Sequence, residues 1–123
     1  ETVQRLIDFF PEHQQRAARM SIAASLKGVL CQRLVNKVDG IGRVPACEVM
    51  MMTSRIFDRI VDTTETTLNL EDVISDGEYY GMHSMDQALL QLFGDGLITR
   101  REALTNAVNS NELRSLMETV RGE

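Results

Sequence analysis

The side chains best suited to chemistry in this sequence are two histidines, two cysteines and several arginines, and their spacing limits what each can do. His13 and His83 lie far apart, with no acidic or thiol residues at ligand spacing around either. Each therefore reads as an ordinary polar or partly buried histidine rather than a metal ligand or catalytic base. Cys31 and Cys47 are the sole candidates for a disulfide and fall on opposite arms of a strand-loop-strand pattern, close to facing positions. Both sit among Val, Leu and Ala, where free cysteine behaves as a small buried hydrophobe. Two thiols without further ligands at CxxC spacing do not make a zinc site. No GxxxxGK[ST] loop, GxGxxG fingerprint, HExxH pair or GxSxG elbow occurs anywhere in the chain, so the sequence carries no recognisable active site of its own.

The arginines leave two readings open. Arg55 and Arg59 are one helical turn apart, with Asp58 and Asp62 interleaved. They form either a solvated face with intrahelical pairs worth a few tenths of a kcal/mol each, or a docking or gating surface toward a neighbouring subunit. Arg33 lies inside a strand pattern, where it either points to solvent at an edge or stands at the rim of an anion or nucleotide pocket. The Met50, Met51, Met52 triplet reads as core filling at a strand end.

These residues are positioned by a β-hairpin set among helices. Between Gly28 and Met52 the runs GVLCQRLV and RVPACEVMMM flank the loop NKVDGIG; such a hairpin is marginal alone and must lie against a larger surface. Pro45 has no amide hydrogen, so its strand is an edge there or turns that position away from its neighbour. Before the hairpin, Val3, Leu6, Ile7 and Phe10 keep helical spacing from the first residues with no cap before them, and the chain is expected to begin inside a helix. Pro11 stops that helix, and a second one is expected over Glu12–Leu26, with Ala17, Met20, Ser21 and Ala24 on its apolar stripe and Gln14, Arg16 and Arg19 off it.

After Met52 the pattern changes to short helices. Ser84 with Gln87, Thr99 with Glu102 and Asn109 with Glu112 match capping boxes and predict helices near 85–93, 100–107 and 110–120. Gly94 and Gly96 supply the turn between the first two. A helix over Ser54–Val61, a polar Thr-rich link and a short helix near Leu70–Ser75 complete the series.

With 123 residues the chain suits one domain with a sizeable core. Its 43% hydrophobic and 25% charged residues are near the globular average and unlike a disordered chain. A net charge of −5 argues against broad capture of nucleic acid or anionic membrane. No apolar run is long enough to span a bilayer, and no basic start followed by an apolar segment marks secretion, so the cytoplasm is the expected compartment.

The segments PEHQQ (Pro11–Gln15), SLKGVLCQRLV (Ser25–Val35), GRVPACEVM (Gly42–Met50), GMHSMDQALLQL (Gly81–Leu92) and GLITRREAL (Gly96–Leu104) resemble, in the same order, blocks of the PilT-type type IV pilus retraction ATPases of the secretion ATPase superfamily. The resemblance implies an α/β fragment, mostly helical. Residues 1–52 would be the C-terminal part of a RecA-like ATPase domain, its hairpin finishing the sheet, and residues 53–123 a helical C-terminal region of short helices. In that family the phosphate-binding loop, the acidic motifs and the histidine box all precede the helix that resembles Glu1–Phe10. ATP and magnesium are thus implied for a parent motor and no cofactor for these residues, which are expected not to hydrolyse ATP alone. The implied partners are a homo-hexamer formed through the parent and the pilus machinery at the inner membrane, with no nucleic acid.

One departure concerns RIFDRIVD (Arg55–Asp62), which aligns with an AIRNLIRE-type motif linked to retraction. Ile56 and Ile60 match its apolar positions, whereas Phe57 and Val61 replace its two arginines, and Arg55 and Arg59 occupy a different helical face. His83 stands where the family commonly has Gln, and the absence of a paired-cysteine zinc motif favours the retraction type. The resemblance makes Arg33 a candidate at a nucleotide edge, and Arg55, Ile56, Arg59 and Ile60 candidates for subunit contact or coupling of motion.

Two other functions compete. LLQLFGDGLITRREAL is a helical hairpin that a freestanding interaction module would also use. A helix-turn-helix DNA reader is weaker, because Arg100–Ala107 has no basic, amide-rich face beyond Arg100 and Arg101 and the chain is acidic.

Overall fold

A register set by the turn organises the hairpin. In the computed structural model, which describes residues 2–62 and 69–121, β1 (Gly28–Asn36) and β2 (Arg43–Met51) form a two-stranded antiparallel sheet. The Lys37 amide donates to Gly42 at the turn and the Met52 amide to Lys27 at the open end. Both ends share one register with no bulge between them, so Val29 faces Met50, Cys31 faces Glu48, Arg33 faces Ala46 and Val35 faces Val44. The turn itself uses Gly40 at φ 74° and an Asp39 carboxylate that accepts from the Ile41 amide at 2.9 Å.

This register corrects the expected placement of the cysteines. Cys31 lies opposite Glu48 and Cys47 opposite Gln32, so a one-residue offset sends the two thiols to opposite faces of the ribbon. Neither forms a disulfide, and both are half-buried. Pro45 faces Leu34 at a non-hydrogen-bonded position, and the edge on which its amide would point is the one turned away from β1, as its chemistry requires.

The helices are α1 (Thr2–Asp8), α2 (Gln15–Ser25), α3 (Ser54–Val61), α4 (Glu71–Ser75), α5 (Met85–Gly94), α6 (Arg100–Asn106) and α7 (Ser110–Arg121). The Thr-rich link expected between α3 and α4 falls outside the described residues. Caps fix where the later helices start. Ser84 closes a full capping box, its Oγ accepting from the Gln87 amide at 3.1 Å while its own amide donates to the Gln87 side chain at 2.8 Å. Thr99 accepts from the Glu102 amide at 3.1 Å, yet Glu102 does not reach back to the cap; its carboxylate accepts from the Asn36 amide at 3.0 Å. Asn109 accepts from the Glu112 amide at 3.2 Å. Gly96 makes the turn after α5 at φ 77°, whereas Gly94 is the last helical residue and keeps an ordinary conformation.

By packing, the chain forms two units, Glu1–Val29 with Met50–Met82 and Leu30–Val49 with His83–Glu123. The first unit is built around Val3, Ile7, Ala23, Met50, Ile56, Ile60, Val73, Ile74 and Met82. The second is built around Val35, Ala46, Met85, Leu89, Phe93, Ile98, Ala103, Leu113 and Met117. Each fully buried Leu, Ile or Met contributes roughly 1.5–3 kcal/mol relative to exposure.

The apolar stripe of α2 is not the expected one. Ala17, Met20, Ser21 and Ala24 are exposed, and the buried face carries Ala18, Arg19 and Ala23 with Ile22 half-buried. The arginine disguises this face: only 5% exposed, its guanidinium donates to the carbonyls of Asp62 at 2.8 Å and Ile60 at 3.5 Å. A buried cation is tolerable because those carbonyls, freed at the end of α3, accept its protons.

Candidate functional site

In the first unit the candidate surface is the polar side of α3. Thr53 caps the helix, its Oγ1 accepting from the Ile56 amide at 3.3 Å. Ile56 and Ile60, one turn apart, are fully buried in the first core and anchor the helix. Phe57 and Val61 pack against the same core. The two positions where the sequence resemblance would place arginines are therefore half-buried apolar ones, while Arg55 and Arg59 look outward on another face.

Those two arginines do not act as an isolated basic patch. Arg59 donates through Nη1 and Nη2 to the two carboxylate oxygens of Asp72 at 3.0 and 3.2 Å and also to the Asn69 carbonyl at 3.0 Å. Arg55 lies 3.8 Å from Asp76. One turn along α3 corresponds to one turn back along α4, so the two pairs are successive rungs joining antiparallel helices. The Arg59 guanidinium holds the Asp72 carboxyl below its ordinary value of 3.8, chiefly by its hydrogen bonds, while partial burial opposes the shift. α3 and α4 are thereby clamped across the segment that joins them.

In the second unit Arg33 has a specific partner. Its Nη1 donates to the Asn106 carbonyl at 2.6 Å, where the last turn of α6 leaves acceptors unused. The opposite face of the hairpin is mostly apolar and open: Leu30 is 70% and Leu34 48% exposed on either side of Gln32, with Pro45 beside them and Cys47 half-buried. The outward amide and carbonyl of Val49 on β2 pair with His83 at 2.9 and 3.2 Å. On β1 the outward backbone groups of Leu30, Gln32 and Leu34 have no partner among the described residues, and that edge can accept another strand.

Sequence reasoning missed three polar residues that hold these surfaces in place. Arg19 caps α3 from α2. Asp86 on α5, 9% exposed, accepts from the amides of Val108 and Asn109 at 2.7 and 2.8 Å and fixes the entry to α7. Glu48 on β2 accepts from the Met85 amide at 3.3 Å, beside the cap of α5. Arg19 keeps helical spacing with Gln15, Ile22 and Ala23, but its charge argues for solvent and its acceptors lie more than forty positions away; Asp86 and Glu48 likewise act on distant amides that no local pattern reveals. No cluster of His, Cys, Asp and Glu able to hold a metal ion occurs among the described residues, and no described helix is long and apolar enough to cross a membrane.

The same arrangement of hairpin and short helices occurs in a crystal structure of the pilus retraction motor PilT with bound ADP, with a TM-score of 0.75 and 32% identity over 93% of this chain and 31% of that one. The chain is a homologue of the PilT-type pilus ATPases. It is 33% identical over 113 residues to a twitching motility protein of Neisseria gonorrhoeae, covering 92% of this chain. To the type IV pilus ATPase PilU of Pseudomonas aeruginosa it is 32% identical over 118 residues, covering 96% of this chain. It spans about 30% of the length of these curated relatives and corresponds to the C-terminal part of a PilT-type ATPase. No family model matches the chain. The PilT-type resemblance and the mostly helical α/β fold expected from sequence are thus borne out, as is the hairpin followed by short helices.

Proposed function

We propose that the chain is the C-terminal region of a hexameric ATPase that powers type IV pilus retraction, with ATP and magnesium handled by preceding parts of the motor. In this reading residues 1–52 complete a RecA-like domain and residues 53–123 form its helical C-terminal region. The observation that carries it is the match to PilT-type motors along nearly the whole of this chain. Two features support it. The open edge of β1, with Leu30 and Leu34 exposed beside it, suits a strand that continues a larger sheet. The α3–α4 pair, tied by Arg59 and Asp72, presents Arg55 and Arg59 on one polar surface, which suits contact with a neighbouring subunit. Ile56 and Ile60 serve that surface by anchoring α3, and Arg33 is assigned to the nucleotide-side edge of the hairpin. The motor works in the cytoplasm, peripheral to the inner membrane and its pilus machinery.

The test compares two proteins: the 123-residue chain alone and the product of its gene read with the coding region upstream. The expected result is ATP hydrolysis and hexamers for the longer protein, which carries a GxxxxGK[ST] loop, and no turnover by the chain alone. Hydrolysis by the pure chain, or a longer protein without such a loop, overturns the proposal.

A further inference from the structure

Where α6 meets α7 the second unit carries a shallow pocket of about 550 Å³ lined by Arg100, Arg101, Leu104, Thr105, Ser110 and Arg114. The sequence builds it from two helical faces. Arg101, Leu104 and Thr105 fall at three- and four-residue spacing on α6, and Ser110 and Arg114 at four-residue spacing on α7. The Thr99 cap sets the first of these by starting α6 at Arg100. We infer that this pocket is a binding site for a phosphate-bearing anion.

Three observations carry the inference. The charge is lopsided: within a chain of net charge −5, three arginines line one pocket, and the sole carboxylate paired with any of them among the described residues is Glu118, 3.6 Å from Arg100. Arg101 and Arg114 have no acceptor for their guanidiniums among the described residues. The nearby acids are committed elsewhere, Glu102 to the Asn36 amide and the Asn106 side chain and Glu112 to Asn109.

Helix stability does not account for this placement, because Arg100 and Arg101 occupy the first turn of α6, the end where the helix dipole disfavours cations. The donor set also fits phosphate. Guanidinium forks pair with two oxygens at once, and the Ser110 hydroxyl adds a further donor, so the site offers more protons than the two oxygens of one carboxylate use; the three terminal oxygens of a phosphate group use them better. The volume falls in the range of small-molecule sites and exceeds what a single phosphate fills, which suits a phosphorylated compound or a lipid headgroup.

The test titrates the full chain with pyrophosphate at moderate salt, following amide chemical shifts, alongside citrate and vesicles of phosphatidylcholine with and without phosphatidylglycerol. Pyrophosphate is expected to shift the amides of residues 100–105 and 110–114. R101Q with R114Q, both changes at exposed positions, is expected to weaken binding at least tenfold, whereas R16Q on α2 leaves it unchanged. Saturable binding of pyrophosphate without vesicle binding assigns a free phosphorylated ligand, and vesicle binding competed by pyrophosphate assigns a headgroup. Citrate binding as tightly as pyrophosphate, equal affinity in the double variant, or no saturable shift in the pocket overturns the inference.

Discussion

Arg59 and Asp72 meet side by side, each oxygen of the carboxylate receiving one N–H of the guanidinium at 3.0 and 3.2 Å. The pair ties α3 to α4 and holds the Asp72 carboxyl below its ordinary value. A carboxylate with a depressed folded pKa adds stability that is fully present above its unfolded value and is lost as pH falls through the folded one. Asp72→Asn is therefore expected to lower stability at pH 6–7 and to make progressively less difference as the pH drops below about 4. Because both side chains are largely exposed, the effect is expected to stay under about 1 kcal/mol. Urea melts of wild type and variant across that pH range measure it; a difference that grows on acidification contradicts the assignment.

Arg19 should be among the costliest polar residues to lose. Arg19→Ala strips the charged donor from the carbonyls of Ile60 and Asp62 and opens space between α2 and α3, at an expected cost of about 2–4 kcal/mol. Arg19→Met keeps most of the volume and removes the donors alone, so it is expected to fall between alanine and wild type. Chemical denaturation of the two variants separates packing from hydrogen bonding.

Asp86 offers an independent check in the second unit. Its carboxylate accepts both the Val108 and Asn109 amides, and Asp86→Ala leaves two donors unsatisfied, with an expected loss of about 2–3 kcal/mol. Asp86→Asn retains an acceptor oxygen for one of them and should lose about half as much. Hydrogen exchange at the amides of residues 108 and 109 reports the change directly: both should exchange faster in the alanine variant.

The register predicts the behaviour of the thiols. Cys31 and Cys47 project from opposite faces, and side chains that point apart cannot be bridged without moving the backbone. Mild oxidation should leave the monomer without an internal disulfide and produce at most dimers linked between chains. Mass spectrometry after non-reducing digestion identifies the link, and a Cys31–Cys47 peptide within one chain would contradict the register.

Leu30 and Leu34 should make the isolated chain bind apolar dyes and associate with itself. Leu30→Lys with Leu34→Lys is expected to reduce both, as seen by dye fluorescence and light scattering, with little loss of stability because both positions face solvent.

Much of this was legible in local sequence signals. Ser84 with Gln87 placed the start of α5, Thr99 that of α6, and the glycine-containing loop before Arg43 fixed the hairpin, because caps and turns depend on neighbours a few residues away. Pro45 announced its own orientation through the hydrogen it lacks. The buried face of α2 was not legible, since an arginine on a stripe argues for solvent unless its distant acceptors are known. For the same reason Arg59 looked free to pair with Asp58 or Asp62, whereas Asp72, thirteen residues on, supplies the better geometry. Arg33 likewise finds the Asn106 carbonyl, a partner seventy-three positions away. Spacing reveals which residues share a face; only the fold reveals what that face meets.

The two edges of the hairpin differ in a way that gives it a direction. On β2, position 45 supplies no donor and position 49 is already engaged by His83, so an incoming strand finds an interrupted rail. On β1 the run from Leu30 to Leu34 is continuous. Growth by strand addition can therefore proceed from one flank alone, which makes the ribbon a terminus rather than a link: it can be the last piece laid onto a sheet but resists seeding an endless one.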